Sequence, residues 1–551
     1  MMTIEDIRHH LKKSNLDAYL ITRNNAYLNE DLLDEENLVR HLTSFTGSNA
    51  TLLILNDKIH LFTDGRYEIQ AKQQVDTSQI EIVTKPMNRN WLNTNLTPNT
   101  KIGYNPWCHS VKKIEGLTNE HCQFKFIEDE NFGNIISNKE VVIFDHNTEF
   151  SGIEAEEKIS LVTKKIQTMK ADAYFISAAD SVSWLLNQRS NLLPTTPLYR
   201  AMAIVNKDGE VKVFNHLDEI EKEIAKYKKG TINFCMYQTP QKIRILLEKH
   251  KVNYESFIDP CQEMKAIKNP VEIQGLIKSH VRDGVSMVKF LYWLENNWQN
   301  KTEYELSQKL YDYRKINENF FSSSFDTIMA YNANAALAHY RPEKDQSSSL
   351  NKDGILLIDS GAQYLDGTTD ITRTLPLGNI NDEIRDYYTI VLKSHIALAS
   401  TVFPKETPGI KLDIIARKEL WKYGKDYNHG TGHGVGCFLN VHEGPLSIST
   451  RGTQYGLKEN MITSIEPGYY VENNYGIRIE NLYKIAQMNE DFLYFEPLTL
   501  CPINKQLINK SMLNADEILW LNNYHKLVYT TLESFLEEHK QTWLQNACSL
   551  L

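Results

Sequence analysis

The chain has 551 residues, which at about 150 residues per domain corresponds to roughly three or four domains. Its composition, 41% hydrophobic and 24% charged, is that of a globular protein and excludes a wholly disordered, collagen-like or coiled-coil chain. Sixty basic against 70 acidic residues leave a formal charge of −10, so a polyanion-binding surface is not expected and nucleic acid is not a predicted partner.

Seven cysteines (Cys108, Cys122, Cys235, Cys261, Cys437, Cys501, Cys548) are scattered with no C-x-x-C pair, and read as free thiols in a reducing compartment. No apolar run approaches the length of a membrane span, so no membrane association is expected. The opening MMTIEDIRHHLKKSNLDAYLI lacks a continuous apolar core and a small-residue cleavage site, which makes the cytoplasm the expected location.

In chain order, LKKSNLDAYLIT (11–22) and IQTMKADAYFIS (166–177) share a pattern: an amphipathic helix, Asp-Ala-Tyr, then a short buried strand. Helix–loop–strand units also resemble each other by chance; the alternative is two related α/β domains in tandem. In the first unit the strand-like runs TLLILN and KIHLFTD flank an Asn-Asp turn at 56–57, and a polar stretch from about residue 145 leads into the second. Pro270 closes that unit. From Val271 to Trp298, Ile277, Val281, Val285, Val288, Leu291 and Leu294 recur at helical spacing and predict a long amphipathic helix. A second helix, Asp516 to Leu536, reads as a docked terminal element or a subunit contact.

Residues 354–378, GILLIDSGAQYLDGTTDITRTLPLG, form a strand pattern interrupted by Asp366-Gly367, a strong hairpin signal. With that turn, Gln363 pairs with Asp370, and Asp359 shares its face by the period-2 rule. Along a flat strand the two carboxylates would lie about 13 Å apart, so a bulge or bend at Gly361 is required to bring them together. SIEPGYYVENNYGIRIENL (464–482) repeats the theme: an odd-length loop centred near residue 473 sets Glu466 and Glu480 on one face, and an even one splits them. Between the pairs lies HGTGHGVGCFLNVHEGP (429–445), with His429, His433 and His442 in a glycine-rich loop that cannot be a helical zinc motif.

A lone strand-end Asp is ordinarily a turn residue, and a lone His an ordinary hydrogen-bonding residue. Four carboxylates that converge are another matter: each like-charged pair at 4 Å repels by about 4 kcal/mol even at an effective dielectric of 20. Protonation or cations must relieve that. Two divalent ions match the four carboxylates in charge, a bridging hydroxide would supply a nucleophile, and oxygen-rich ligation with one imidazole favours Mn2+, with Co2+ or Zn2+ possible.

Taken together, HY-x-P at 339–342, IDSGAQYLDGTTDITRT, HGTGHGVGCFLNVHEGP and IEPGYY…GIRIEN resemble the metal-ligand blocks of the pita-bread metallopeptidases, most closely the Xaa-Pro aminopeptidases. TSFTGSNATLLIL…HLFTDGRYEIQA (43–71) is similar to that family's N-terminal creatinase-like domain, SAADSVSWLLNQRS (177–190) to its second, and the end segment to its C-terminal extension. The resemblance implies an α/β and α+β chain of two related creatinase-like domains, 1–148 and 149–264, and a pita-bread catalytic domain, 265–551, whose extension starts near 491.

Carried over by motif position, Asp359 would chelate one of two divalent ions, Asp370 and Glu480 would bridge both, and His433 and Glu466 would complete the other. Glu466 would also shuttle a proton to the leaving proline nitrogen. His339, His442 and His429 would line the substrate pocket, the first two touching substrate or the developing oxyanion; Arg478 would orient Glu480, and Arg40 would reach toward a neighbouring active site. The implied reaction is hydrolysis of the Xaa-Pro bond at the N-terminus of peptides with proline second, by a cytoplasmic homodimer. Prolidase, acting on dipeptides, would share all five ligands, and a non-catalytic peptide-binding protein could use the same fold. The length and end segment favour the aminopeptidase.

Overall fold

The computed structural model describes residues 2–118, 125–129 and 141–551. Cys122 lies outside them; the other six cysteines are free thiols. Among the described residues no helix is long and apolar enough to cross a membrane. The chain divides into two compact units, one of residues 1–145, 153–193 and 198–262, the other of 146–152, 194–197 and 263–551.

Two of the sheets in the first unit are built on one plan. In the six-stranded sheet Ala18–Thr22 is central, antiparallel to Thr51–Leu55 and parallel to Lys101–Tyr104. In the four-stranded sheet Ala173–Ile176 is flanked by antiparallel Met202–Asn206 and parallel Ile232–Phe234. The repeated aspartate explains the match. Asp17 accepts the Lys101 N–H at 2.7 Å through its carboxylate and gives its own N–H to the Lys101 carbonyl at 2.9 Å. Asp172 repeats both bonds with Thr231, each at 3.0 Å. In each copy the residue two before the aspartate, Asn15 or Lys170, turns through positive φ. Each aspartate thus clamps the start of the parallel neighbour to the central strand, whose apolar side chains are buried. The turn at Asn56-Asp57 joins Thr51–Leu55 to Ile59–Phe62 as the sequence predicts.

The second unit begins with the long helix Pro270–Leu294. Asn269 caps it, accepting the N–H groups of Val271 and Glu272, and Pro270 sits where a missing N–H costs nothing. The helix stops four residues short of Trp298, where the Asn297 side-chain amide takes the Trp293 carbonyl at 2.7 Å. Ile277, placed on the buried stripe by its spacing, is 39% exposed, whereas Val285, Val288, Leu291 and Leu294 are buried. On its inner face Met287, Phe290 and Leu291 pack against Leu356, Ile358 and Leu375 of the strands that carry the first acidic pair. The predicted tail helix spans Ala515–Leu532, ends before Leu536 and is followed by a last helix, Glu538–Ala547; its Leu521, Tyr524, Val528 and Leu532 are buried in one core with Ile477 and Ile479, while Leu527 stays exposed.

The strand Gly354–Ser360 lies between Ile328–Tyr331 and Ile371–Leu377. At Gly361 the chain leaves that sheet, and Ala362–Tyr364 joins another, beside Phe320–Ser323 and Gly367–Thr368. This is the bend that the acidic pair demands. A Cβ at Gly361 would collide with the Thr369 carbonyl oxygen and the Ser324 hydroxyl, so only glycine fits the crossing. Gly361→Ala is expected to destabilise the protein by about 1–3 kcal/mol through overpacking, read as a lower urea midpoint. An unchanged midpoint would refute the crowding.

Candidate metal centre

Backbone register assembles the site. Asp359 faces Thr372 across the pair formed by Gly354–Ser360 and Ile371–Leu377. Thr372 in turn bridges to Glu480, whose N–H donates to the Thr372 carbonyl at 3.1 Å. In the second hairpin Ile465 faces Asn481 and, further on, Gly468 faces Arg478, with residues 472–474 as a three-residue loop and Asn473 at φ 59°. The same register carried through the gap sets Glu466 opposite Glu480, the odd-loop outcome. Asp359, Thr372, Glu480 and Glu466 therefore form one lateral row. Side chains directly across from one another share a face. Glu466 extends the row by donating its N–H to the Thr431 carbonyl at 2.7 Å, beside the short strand Gly432–Gly434 that carries His433.

The first hairpin differs from its expected register. Its turn is Leu365-Asp366, so Gln363 pairs with Thr368 and not with Asp370. Tertiary bonds fix this: Asp366 ion-pairs with Arg282 of the long helix, and Gln363 accepts from the Thr368 hydroxyl at 2.7 Å while donating to the Leu439 carbonyl at 2.7 Å. Asp370 then lies just before Ile371–Leu377, on the return leg beside Asp359.

His433 Nε2 is 3.5 Å from Asp370 Oδ2 and 3.5 Å from Glu466 Oε1. Asp370, His433 and Glu480 each offer a ligand atom within 4.8 Å of the other two. Thr372 donates its hydroxyl to Glu480 Oε2 at 2.7 Å. Asp359 Oδ2 accepts from Arg478 Nη2 at 2.6 Å. Arg478 thus holds Asp359, and reaches Glu480 only through Thr372, to whose hydroxyl its Nε donates at 3.2 Å. It also donates to the Tyr470 hydroxyl at 2.6 Å and to the Ala338 carbonyl at 3.2 Å.

Burial pushes the Asp359 carboxyl well above the usual carboxylate range, against the pull of Arg478 and with the help of Asp370. Glu480 is pushed further by burial and by Asp370, Glu466 and Asp359, and Glu466 rises mainly through burial. Two buried oxygens, Asp359 Oδ1 and Asp370 Oδ1, have no hydrogen-bond donor. Three buried carboxylates and the half-buried Glu466, with one guanidinium and two unsatisfied oxygens, are the donor set of a divalent-cation site, and the residues fit that group. No thiol joins the set; the nearby Cys437 Sγ points at the Asp366 carbonyl, 3.6 Å away.

Among the remaining predicted residues, the ring of His442, itself exposed, stands edge-on to His433 at 4.4 Å between centroids. His339 is half-buried on the turn after residues 332–336. His429 is closed off: Nδ1 donates to the Gly430 carbonyl at 2.8 Å, and Nε2 lies 2.8 Å from the Tyr470 hydroxyl. Burial and then Arg478 hold its imidazole well below the ordinary range, hence neutral. Both ring nitrogens being engaged, His429 offers a substrate only its ring. Arg40 is in the other unit, on the helix Leu38–Thr43, ion-paired with Asp34 at 2.8 Å. Thr372 and Tyr470 escaped the sequence reading. Thr372 stands two residues from Asp370, a same-face spacing that would have flagged it; Tyr470 carries no such signal.

One histidine and four carboxylates brought together by antiparallel strands are the donor types of a hydrolase-type metal centre. Residues 274–487 match the model for metallopeptidase family M24 and 491–551 its C-terminal region; 4–132 and 137–272 match creatinase/prolidase N-terminal domains. Xaa-Pro aminopeptidase 1 of Dictyostelium discoideum is 33% identical over 98% of this chain and 95% of its own. The solved X-prolyl aminopeptidase of Caenorhabditis elegans, a cytosolic enzyme with a di-nuclear active site, is 31% identical with a TM-score of 0.92, covering 97% of this chain and 95% of that one. A prolidase from Pyrococcus horikoshii, 25% identical with a TM-score of 0.52, covers 64% of this chain and 100% of its own. The chain belongs to metallopeptidase family M24, the pita-bread metallopeptidases, with two creatinase-like N-terminal domains before the catalytic fold. A curated relative named probable Xaa-Pro aminopeptidase P, of Neurospora crassa, is 34% identical over 98% of this chain and 87% of its own.

Thr372 links Arg478 to Glu480, so Thr372→Val is expected to weaken divalent-cation retention about 10- to 100-fold, measured by equilibrium dialysis. Wild-type affinity in that variant would remove Thr372 from the site.

Proposed function

We propose that this protein is a metal-dependent aminopeptidase that removes the first residue from peptides with proline in second position. The observation that carries the reading is the row Asp359–Thr372–Glu480–Glu466 beside Asp370 and His433, in a chain that matches Xaa-Pro aminopeptidases over 98% of its length. A prolidase matching only 64% of the chain lends the dipeptidase reading less support.

In this reading Asp359, Asp370, His433, Glu466 and Glu480 would hold two divalent cations. Oxygen-rich ligation favours Mn2+, with Co2+ or Zn2+ the alternatives. Bound there, the cations supply Lewis acidity toward the scissile carbonyl and activation of water. The chain's own groups do the rest. Arg478 opposes the protonation that burial favours at Asp359 and aims the carboxyl through its 2.6 Å bond. Glu466 receives the proton from the attacking water and delivers it to the proline nitrogen, which has no N–H of its own and must gain one to leave. His339 and His442 bind the substrate backbone and the developing oxyanion, and His429 walls the pocket. The domains are 1–148, 149–264 and 265–551. A cytoplasmic homodimer in which Arg40 serves the neighbouring site completes the reading, and light scattering tests the dimer.

Hydrolysis of Arg-Pro-Pro and Ala-Pro by the Mn2+-loaded protein is the deciding assay. Release of Arg from the tripeptide is expected; cleavage of the dipeptide alone would make it a prolidase, and cleavage of neither a binding protein. Asp370→Ala and Glu480→Ala are each expected to lose both cations, measured by elemental analysis after gel filtration. Full metal content in either variant would remove that residue from the cation-holding set.

A further inference from the structure

The motif His339-Tyr340 contributes one residue to the proposed substrate pocket and leaves the tyrosine unexplained. Tyr340 donates its hydroxyl to Glu303 Oε2 at 2.7 Å. Glu303 is fully buried at the first position of the helix Glu303–Arg314, and among the described residues the hydrogen bonds it accepts come from neutral groups. Four neutral donor groups satisfy it, all from one stretch of chain. They are the Tyr331 N–H at 2.7 Å, the Asn334 amide at 2.9 and 3.1 Å, the Tyr340 hydroxyl, and the Ser348 N–H at 2.8 Å. Its own N–H returns a bond to the Ser348 carbonyl at 3.1 Å. One carboxylate therefore gathers both ends and the middle of segment 331–348.

His339 sits inside that stretch, held on each side. Before it, the Ala338 carbonyl accepts from Arg478 at 3.2 Å, the same guanidinium that holds Asp359. After it, Tyr340 is tied to Glu303. The short helical turn Asn332–Ala336 is pressed on the strand Tyr475–Arg478 so closely that a Cβ at Gly476 would strike the Ala335 carbonyl oxygen. A surface loop of this length is ordinarily mobile; here its backbone is bound to the strand that supports the metal centre.

We infer that Glu303, acting through the Tyr340 hydroxyl, is a positioning residue that sets His339 in the substrate pocket. It touches neither substrate nor cation, and it acts by reducing the freedom of the imidazole. A displacement of about 1 Å in such a group costs up to 100-fold in rate. The inference rests on the proposed role of His339.

The test is a double-mutant cycle on Arg-Pro-Pro hydrolysis with Tyr340→Phe, His339→Ala and the double variant, each checked for metal content. Tyr340→Phe is expected to lower kcat/KM about tenfold or more with metal content unchanged, and to cost less than about twofold once His339 is Ala. Glu303→Gln should act in the same direction; should it not fold, Tyr340→Phe, which deletes one oxygen, decides alone. An equal loss from Tyr340→Phe in both backgrounds, or none in the wild type, overturns the inference. If His339→Ala itself costs nothing, the reading of His339 falls first, and the inference with it.

Discussion

Like charges crowded out of water are the constraint on which the second unit is built. Asp359, Asp370, Glu466 and Glu480 converge with a single guanidinium, Arg478, leaving three formal negative charges in a buried space. The fold offers partial relief through Thr372 and Arg478 and leaves two carboxylate oxygens without any donor. Two divalent cations would turn that deficit into one positive charge, suited to the negative charge that gathers on a peptide carbonyl under attack. The site is unfavourable alone and favourable loaded, which is how buried acidic clusters persist.

Arg478 ties several demands together. Its five donors fix Asp359, touch Thr372, hold Tyr470 and carry the loop before His339. Through Tyr470 the same group reaches His429, whose ring is neutral and spoken for at both nitrogens. A lysine could occupy the volume and not the geometry, because only a planar fork serves four acceptors at once. One side chain therefore joins Asp359, the loop before His339 and, through Tyr470, His429.

The residues differ in how much of this they disclose by pattern. Glu466 and Glu480 were legible because a hairpin obeys parity, and the three-residue loop met the odd case. The repeat around Asp17 and Asp172 was legible as well, and its meaning is a pair of identical backbone bonds at the edge of a parallel neighbour. The first acidic pair was legible only up to the need for a bend: at Gly361 the strand changes sheets, an event set by Thr369 and Ser324 and invisible to local periodicity. The Asp366-Gly367 signal missed its turn by one residue because Arg282, distant in sequence, binds Asp366. Arg478 was assigned to Glu480 by same-strand spacing, whereas its carboxylate partner comes from another strand; such pairings follow from topology and not from composition.

The tip that joins the two glutamate strands, residues 472–474, is exposed, yet the pairing it closes is not free to slip. Side chains alternate along a strand, so a one-residue shift of Gly468–Val471 against Tyr475–Arg478 would turn one glutamate of the facing pair away from the other. Extra residues that the tip absorbs without that shift leave the pair intact; what is fixed is the phase of the strands, not the size of the turn.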